Sequence, residues 1–498
     1  MTETAAQGKN WFVEGSSVFD ANVEFLVDGR AYARRWRELA EETRHEGGDV
    51  IHSAWRLSNV VIDPTPQLTR PTLLRTLQAE QGYGGRSFVR LSGHGFTLMN
   101  LPTFLRLKLA NRQGSAKIYP YIDSHFASQV GSYHEKSTTF ISSSSAARLM
   151  LGSIDMTDRR MDEPEHTTKT SAAKRPSHDV GIVIHGPAAV EHALRELDLW
   201  VLSTYYRNRI LWPYRPSRHA SPESRRTDIA NARTKANPPE TAETCRLQLL
   251  RTRSRPTRER SWMFSFESDQ TLRSAYMSAL GQAEQYIYIE DQYFTPNFGN
   301  AAYGSWHWFD GESPMRALKD AISRGVRLFV LLPGTKPNGP GISEMRSSAI
   351  EGLETFARRN GHARPMFLQR YSAPRRRRGS PTEVHVHSKL LICDDDYAII
   401  GSQNLNARSF INDVELAAGI QGSCIADLRR RLWREHAGFA LPPDYGDALD
   451  RIAARCVDVE FETRGRFQLR PYVVAPRPYP PGRLKRLVWR VSETHRGQ

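Results

Sequence analysis

The 498-residue chain has only four cysteines, Cys245, Cys393, Cys424 and Cys456, and none stands in a C-x-x-C pair or at a Cys/His ligand spacing. No structural zinc is expected, and thiols so few and so scattered are those expected of a reducing, cytoplasmic setting. Also missing is any run approaching the ~20 consecutive apolar residues that a membrane-spanning helix needs. The opening MTETAAQGKNWFVEG lacks the charged-then-apolar layout of a secretory leader. Export by the common route is therefore not expected, although specialised secretion dispenses with a leader. Acidic residues are the minority charge, 54 Asp and Glu against 69 Lys and Arg, for a formal +15. That balance favours anionic partners such as phosphate groups, nucleic acid or an acidic membrane face.

Core-forming material is ample. Hydrophobic residues make up 39% and aromatics 10%, which excludes disorder throughout; at roughly 100–200 residues per domain the length allows two or three compact units. From Asn22 to Asp63 the chain runs from VEFLVDG through a helix-like AYARRWRELAEETR to a strand-like VIHSAWRL. The rhythm returns near Ser274, where AYMSALGQAEQ reads as a helix and YIYIEDQYF as a strand, and again in ALKDAISRGVRLFVLLPG. Amphipathic helices alternating with short apolar strands predict an α/β fold in both halves. Between Tyr205 and Ser261 the composition turns to Arg, Pro, Ser, Thr and Asn, with one strand-like stretch, CRLQLLRT, inside it. The expected division is an α/β lobe over 1–204, a basic connection over 205–260 and a second α/β lobe over 261–498. The basic run 374–381, PRRRRGSP, reads as a solvated loop or as the rim of an anion-binding cleft.

Chemistry concentrates in 383–415, EVHVHSKLLICDDDYAIIGSQNLNARSFINDVE. At a strand's period of two, His385, His387 and Lys389 project to one face and Val384, Val386 and Leu390 to the other. After the turn-like Asp394-Asp395-Asp396, a second apolar stretch ends at Gly401-Ser402-Gln403-Asn404, where a glycine admits close approach of an oxyanion and Asn404 can donate to it. The segment 134–165 repeats the design: His134 and Lys136 share the spacing of His387 and Lys389, and Gly152-Ser153-Ile154-Asp155 matches Gly401-Ser402-Gln403-Asn404. The first copy is four residues longer between its histidine and glycine, which the serine run 142–145 accounts for as a longer turn. Arg159 falls opposite Arg408. One H-x-K is weak evidence; two copies in two halves of similar layout indicate an internal duplication built around an anion site.

The paired segments resemble the two H-x-K-x-x-x-x-D signatures of the phospholipase D superfamily. The second copy matches through His387, Lys389 and Asp394, then Gly401, Ser402 and Asn404; the first departs at Ile141, where the aspartate would stand. Further likeness lies in HSAWRL near Trp55, the His178-Asp179 pair, YIYIEDQYF around Glu290, GSIDMTDRRMDEPEH and LRRRLWREHAG, so it covers nearly the whole chain. The resemblance implies two similar α/β/α sandwich lobes related by pseudo-twofold symmetry, with the active site where they meet. It also implies His134 as nucleophile, His387 as acid/base and Asp394 as the third catalytic member. Glu415 and Asp162 lie where similar enzymes keep an acid that reaches the other lobe's histidine, with Asp413 and Asp158 as near competitors. The ordinary alternative for each is a surface or helix-start carboxylate.

A phosphodiester is an anion that repels nucleophiles, so its oxygens must be neutralised, here by Lys136, Lys389 and Asn404 with Ser153 and Ser402. One neutral imidazole attacks phosphorus, the other protonates the leaving alcohol, and water or another alcohol then releases the intermediate. Hydrolysis and phosphatidyl transfer share that path, and neither a metal nor a cofactor is called for. Asp155, standing where the second copy has Asn404, accepts rather than donates unless protonated. Gln292 and Tyr293 are expected to line the pocket. Glu290 and Asp291 lack a third metal ligand at suitable spacing. Trp306, Trp308, Tyr205 and Tyr206 read as core, and His52 and His178 as structural.

The expected activity is cleavage of the head-group phosphodiester of a glycerophospholipid by a monomer docked on an anionic bilayer. Two alternatives stand beside it. Nucleic acid suits the same charge, and Ile141 motivates a silent lipid- or phosphate-binding relative.

Overall fold

The computed structural model describes residues 9–58, 72–78, 85–93, 100–113, 118–123, 131–142, 147–166, 176–205, 245–254, 268–296, 313–334, 342–372, 382–458 and 469–472. The basic run 374–381, Trp306, Trp308 and Tyr206 lie outside them, as does most of the 205–260 stretch. The strands are β1 (Val18–Val27), β2 (Asp49–Ala54), β3 (Ser87–Ser92), β4 (Ile118–Asp123), β5 (Ser137–Ile141), β6 (Ala147–Gly152), β7 (Ser177–His178), β8 (Val180–His185) and β9 (Cys245–Ser254). They continue with β10 (Ser268–Asp269), β11 (Tyr286–Glu290), β12 (Arg327–Leu332), β13 (Met366–Arg370), β14 (His385–Val386), β15 (Leu390–Cys393), β16 (Tyr397–Gly401), β17 (Glu415–Gln421) and β18 (Leu469–Pro471). The longer helices are α1 (Gly29–His45), α2 (Leu101–Gln113), α3 (Pro187–Tyr205), α4 (Thr271–Gln282), α5 (Pro314–Ser323), α6 (Ile342–Arg359), α7 (Cys424–Ala437) and α8 (Tyr445–Asp458).

Fifteen strands form one continuous path, β18-β13-β12-β11-β15-β16-β17-β9-β1-β8-β6-β5-β2-β3-β4. Read outward from its centre the path repeats itself. β2, β3 and β4 are mutually parallel, as are β11, β12 and β13. In each half an antiparallel run then leads inward, β2-β5-β6-β8-β1 in one and β11-β15-β16-β17-β9 in the other. The halves join where β1 pairs antiparallel with β9. The chain is thus two α/β lobes of the same topology related by a pseudo-twofold axis. The strand-like stretch within 205–260 is β9, a central strand and the second lobe's counterpart of β1.

Side-chain alternation sets the layers. Ile287 and Ile289 of β11 pack under α4, α5 and α6, while Tyr286 and Tyr288 pack on the opposite face with Trp433 of α7. In the first lobe Val50 and Val89 lie under α1 and α2, whose Trp36, Leu39, Ala40, Phe104 and Leu107 complete that core. The remaining face of both lobes is one shared cluster covered by α3, α7 and α8. Helix signals agree with this placement: α1 buries Tyr32, Ala33, Trp36, Leu39 and Ala40 at helical spacing. α5 opens with Ser313 accepting from the Arg316 amide and Pro314 in its first turn.

Cys245 and Cys424 are joined as a disulfide although 179 residues apart in sequence; Cys393 and Cys456 are buried free thiols. Local spacing cannot reveal a pairing made by β9 meeting the start of α7. Among the described residues no helix is long and apolar enough to cross a membrane.

His52 illustrates what the core asks of a titratable group. Its Nδ1 lies 2.6 Å from Thr138 Oγ1, which also accepts from the Trp36 indole at 3.1 Å. Burial pushes this imidazole down to about 4. A depressed histidine stays neutral in the fold while the unfolded chain takes up a proton, so stability is full above pH 6.5 and is lost as pH falls towards 4. The shift corresponds to roughly 3 kcal/mol. Urea unfolding at pH 7.5 and 4.5 is expected to show a larger acid-induced loss for wild type than for His52→Gln; equal losses refute this.

Candidate active site

The two histidines are set by the same device used twice. Tyr133 bridges Val414 in parallel, and the His134 amide donates to the Val414 carbonyl at 2.9 Å. The next residue of that strand, Glu415, meets the ring: His134 Nδ1 lies 3.0 and 3.1 Å from its two carboxylate oxygens. In the other direction β14 pairs in parallel with β7, and the His387 amide donates to the His178 carbonyl at 2.8 Å. The next residue there, Asp179, lies 2.7 Å from His387 Nδ1. Each histidine is pinned to the opposite lobe one residue before the acid that orients its ring. A carboxylate on Nδ1 fixes the tautomer, leaving Nε2 as the reactive nitrogen.

Asp162 does not hold this place. It accepts from the Ser177 amide at 2.8 Å and lies 3.1 Å from His166 Nδ1. Register shows why Asp179 is the counterpart of Glu415: Gly152 is opposite Gly181 and Gly401 opposite Ala417, so each acid stands two residues before the partner of its glycine. Counting downstream from Gly-Ser fails because the first lobe's connection from β6 to β8 is longer. Both glycines are needed for close approach. A Cβ at Gly152 would lie 2.5 Å from the Gly181 Cα, and one at Gly401 would lie 2.4 Å from the Ala417 Cβ.

Ser153 and Ser402 serve the acids rather than a phosphate. Ser153 Oγ donates to Asp179 Oδ1 at 2.7 Å, and Ser402 Oγ donates to Glu415, which also accepts from Ser409 Oγ at 2.7 Å. The lysine amines lie beside the histidines. Lys136 Nζ donates to the His134 carbonyl at 2.9 Å and is 3.7 Å from Asp155 Oδ2; Lys389 Nζ donates to the His387 carbonyl and lies 3.4 Å from Gln292 Oε1. Asp155 also accepts from the Arg56 amide at 3.1 Å. Asn404 occupies the matching position in the second lobe; its amide N–H donates to Ser409 Oγ. Asp413 pairs with Arg408 at 2.9 Å, and Asp158 starts a short 3-10 turn.

Asp394 is remote from these groups. Lys389 and Asp394 are separated by all of β15, roughly 16 Å at ~3.3 Å per residue. Asp394 accepts from the backbone amides of Glu284, Gln285 and Tyr286 and from Lys9 Nζ at 2.7 Å. It clamps the far end of the β15-β16 hairpin, a bracing role rather than a chemical one. Ile141 lies at the equivalent far end of β5, buried opposite Asp49, so the missing first-copy aspartate removes nothing from the histidines. Asp394→Ala is expected to cost about 1–3 kcal/mol of stability with turnover per folded molecule unchanged. Thermal unfolding beside active-site titration checks this, and a turnover loss without destabilisation contradicts it.

His134, Lys136, His387 and Lys389 are each at most 3% exposed. Burial, then the Lys136 charge, holds His134 well below the ordinary imidazole range; burial, then Arg160 and Lys389, does the same to His387. Lys389 is pulled well below its usual range by burial and by Lys136. The charges of each lobe thus act on the other lobe's groups, as a shared space requires. Lysine, arginine and imidazole nitrogens gathered in one buried space are the donors that an anionic group needs. Asp179 and Arg160 were not picked as site residues from the sequence, although an acid directly before an apolar strand (HDVGIVIH beside VELAAGI) was the available signal for Asp179. Arg160, not the exposed Arg159, adjoins the site and donates to Ser177 Oγ at 2.9 Å. Trp55 also belongs here, its ring 5.9 Å from His134 and 5.8 Å from Lys136 Nζ.

Parts of the chain are similar to known proteins. A family model described as cardiolipin synthase, PLD-like domain, matches residues 276–435. Phospholipase D1 of Cricetulus griseus is 24% identical over 302 residues, 53% of this chain and 26% of that protein. Phospholipase D of Phytophthora infestans is 26% identical over 248 residues, 40% of this chain and 13% of that one. The chain therefore aligns with about a quarter or less of the length of these relatives. Among solved structures, phosphatidylserine synthase of Haemophilus influenzae Rd KW20 superposes with a TM-score of 0.48 at 11% identity, covering 90% of this chain and 97% of that one. The matched PLD-like domain and the phospholipase D relatives support placing the chain in the phospholipase D superfamily.

Proposed function

We propose that the protein is a phospholipase D-type phosphodiesterase that cleaves the head-group ester of a glycerophospholipid through a phosphohistidine. The observation that carries this is the twofold arrangement of His134 on Glu415 and His387 on Asp179, with Lys136 and Lys389 alongside. His134 Nε2 attacks phosphorus as the bond to the head-group oxygen breaks, and that oxygen takes a proton from His387. Water then gives its proton to His387 and attacks phosphorus, breaking the P–N bond and freeing phosphatidate. An alcohol in place of water gives phosphatidyl transfer. Lys136 and Lys389 hold the non-bridging oxygens, and the phosphate charge counters the depression of His387, allowing it to carry the proton.

The resemblance to phospholipase D enzymes in sequence supports lipid over nucleic acid, and the +15 balance suits a monomer docking on an anionic bilayer. The test is release of choline or ethanolamine from mixed vesicles, run beside nicking of supercoiled plasmid. Head-group release that vanishes in His134→Ala supports the proposal. Plasmid nicking with intact lipid moves the substrate to nucleic acid, and no turnover of either by a folded protein leaves a binding protein.

A further inference from the structure

Behind His387, a second set of buried polar groups from both lobes converges on one point. Asp28, His166 and His178 are at most 2% exposed, and the Glu435 side chain is 10% exposed. One ligand-type atom from each lies within 4.8 Å of all the others. His178 Nδ1 is 3.1 Å from Asp28 Oδ1 and 3.4 Å from Glu435 Oε1, and His166 Nε2 is 3.7 Å from Glu435 Oε1. Tetrahedral ligands at ~2.0 Å from zinc stand roughly 3.3 Å apart. We propose that Asp28, His166, His178 and Glu435 bind one divalent cation of the zinc class, which ties the two lobes together behind the reaction centre.

Hydrogen-bond geometry favours a cation over a plain ion-pair network. His166 Nε2, His178 Nδ1, Glu435 Oε1 and Asp28 Oδ2 are buried with no hydrogen-bond partner among the described residues. For His178 Nδ1 and Asp28 Oδ1 the separation is short enough for a hydrogen bond but the direction is not, as when two ligands aim at a common third atom. The opposite nitrogens are fully engaged. His166 Nδ1 meets Asp162 at 3.1 Å and His178 Nε2 meets Glu290 at 3.0 Å, the carboxylate-imidazole backing that orients metal-bound histidines. Glu290 is itself fixed by His436 Nε2 at 2.9 Å and by the Tyr288 hydroxyl at 2.5 Å.

Charge points the same way. Four carboxylates, those of Asp28, Asp162, Glu290 and Glu435, surround the two histidines, and the buried guanidinium of Arg370 acts on Asp28 and Glu435. His178 and His166 meet Asp28 and Glu435 at 3.1–3.7 Å with no acceptor in line with the ring nitrogens, a poorer arrangement for a buried pair than a cation bound between them. Asp28 and His166 are also held at positive φ, 66° and 51°, outside the range a non-glycine residue prefers. The bound ion would steady the joint on which His387 stands, since the His178 carbonyl receives the His387 amide and the Asp28 carboxylate receives the Asp179 amide at 3.1 Å.

The test uses the untagged full chain. Protein made in zinc-supplemented medium is expected to hold about one equivalent of zinc by plasma emission. After chelation, cobalt(II) is expected to bind with the intense visible bands of a tetrahedral ion, and Glu435→Gln or His166→Asn to weaken it at least about tenfold. Absence of zinc and of cobalt bands in the wild type overturns the proposal without any variant having to fold. Equal cobalt affinity in wild type and a folded variant overturns it as well, by placing the metal elsewhere.

Discussion

Asp179→Asn is expected to lower turnover of a chromogenic phosphodiester by about 10²–10⁴-fold, whereas Asp162→Asn reduces it less than about tenfold. The two carboxylates are 17 residues apart and both buried, and a count from the Gly-Ser pair favours the wrong one. Asp179 lies 2.7 Å from His387 Nδ1 and accepts from Ser153 Oγ, so an asparagine there offers an amide whose orientation no longer fixes the N–H on Nδ1. Nε2 would then carry the proton at the wrong stage for part of the population. Asp162 meets no histidine of the site, and an asparagine oxygen can still accept from the Ser177 amide. The loss at Asp179 is expected in kcat, with KM little moved, because Lys136 and Lys389 are untouched. A large loss from Asp162→Asn with Asp179→Asn near wild type would return the orienting role to the sequence-based choice.

The duplication was legible because each copy is local: H-x-K and Gly-Ser-x-Asp/Asn are short-range patterns, and the α/β rhythm is set by periodicities of a few residues. Glu415 was legible through the resemblance. What escaped depends on strand register. Asp179 is paired with His387 across 208 residues, a distance in sequence that no local count bridges. Ser153 and Ser402 looked like phosphate donors because a hydroxyl after a glycine is a common donor, yet each is turned towards an acid by the strand on its far side. Asp394 looked catalytic through its place in a motif, but four residues of β15 carry it to the other end of the hairpin. The same reasoning makes Ile141 harmless: a motif position conveys chemistry only if the strand does not move it away from the reacting groups. His178 was read as structural, and its role becomes visible only when Asp28, His166 and Glu435 are brought around it.

His387→Ala with an activated aryl phosphodiester is expected to release one equivalent of aryl alcohol in a burst and then nearly stop. A good leaving group departs without protonation, so the first step, attack by His134, survives loss of the acid. The second step does not: water must be deprotonated to displace the phosphoryl group, and the base is gone. The phosphorylated His134 therefore accumulates and is recoverable by an acid-free quench and peptide mass analysis. His134→Ala is expected to show neither burst nor adduct, with turnover down by at least about 10³-fold. The order of roles rests on this asymmetry, because the geometry is nearly the same on both sides, Glu415 backing one ring and Asp179 the other. A burst and a phosphorylated His387 in His134→Ala, with none in His387→Ala, would exchange the two roles while keeping the mechanism. Adducts on neither ring, from variants that still turn over substrate, would remove the covalent step and leave water attacking phosphorus directly between the two lysines.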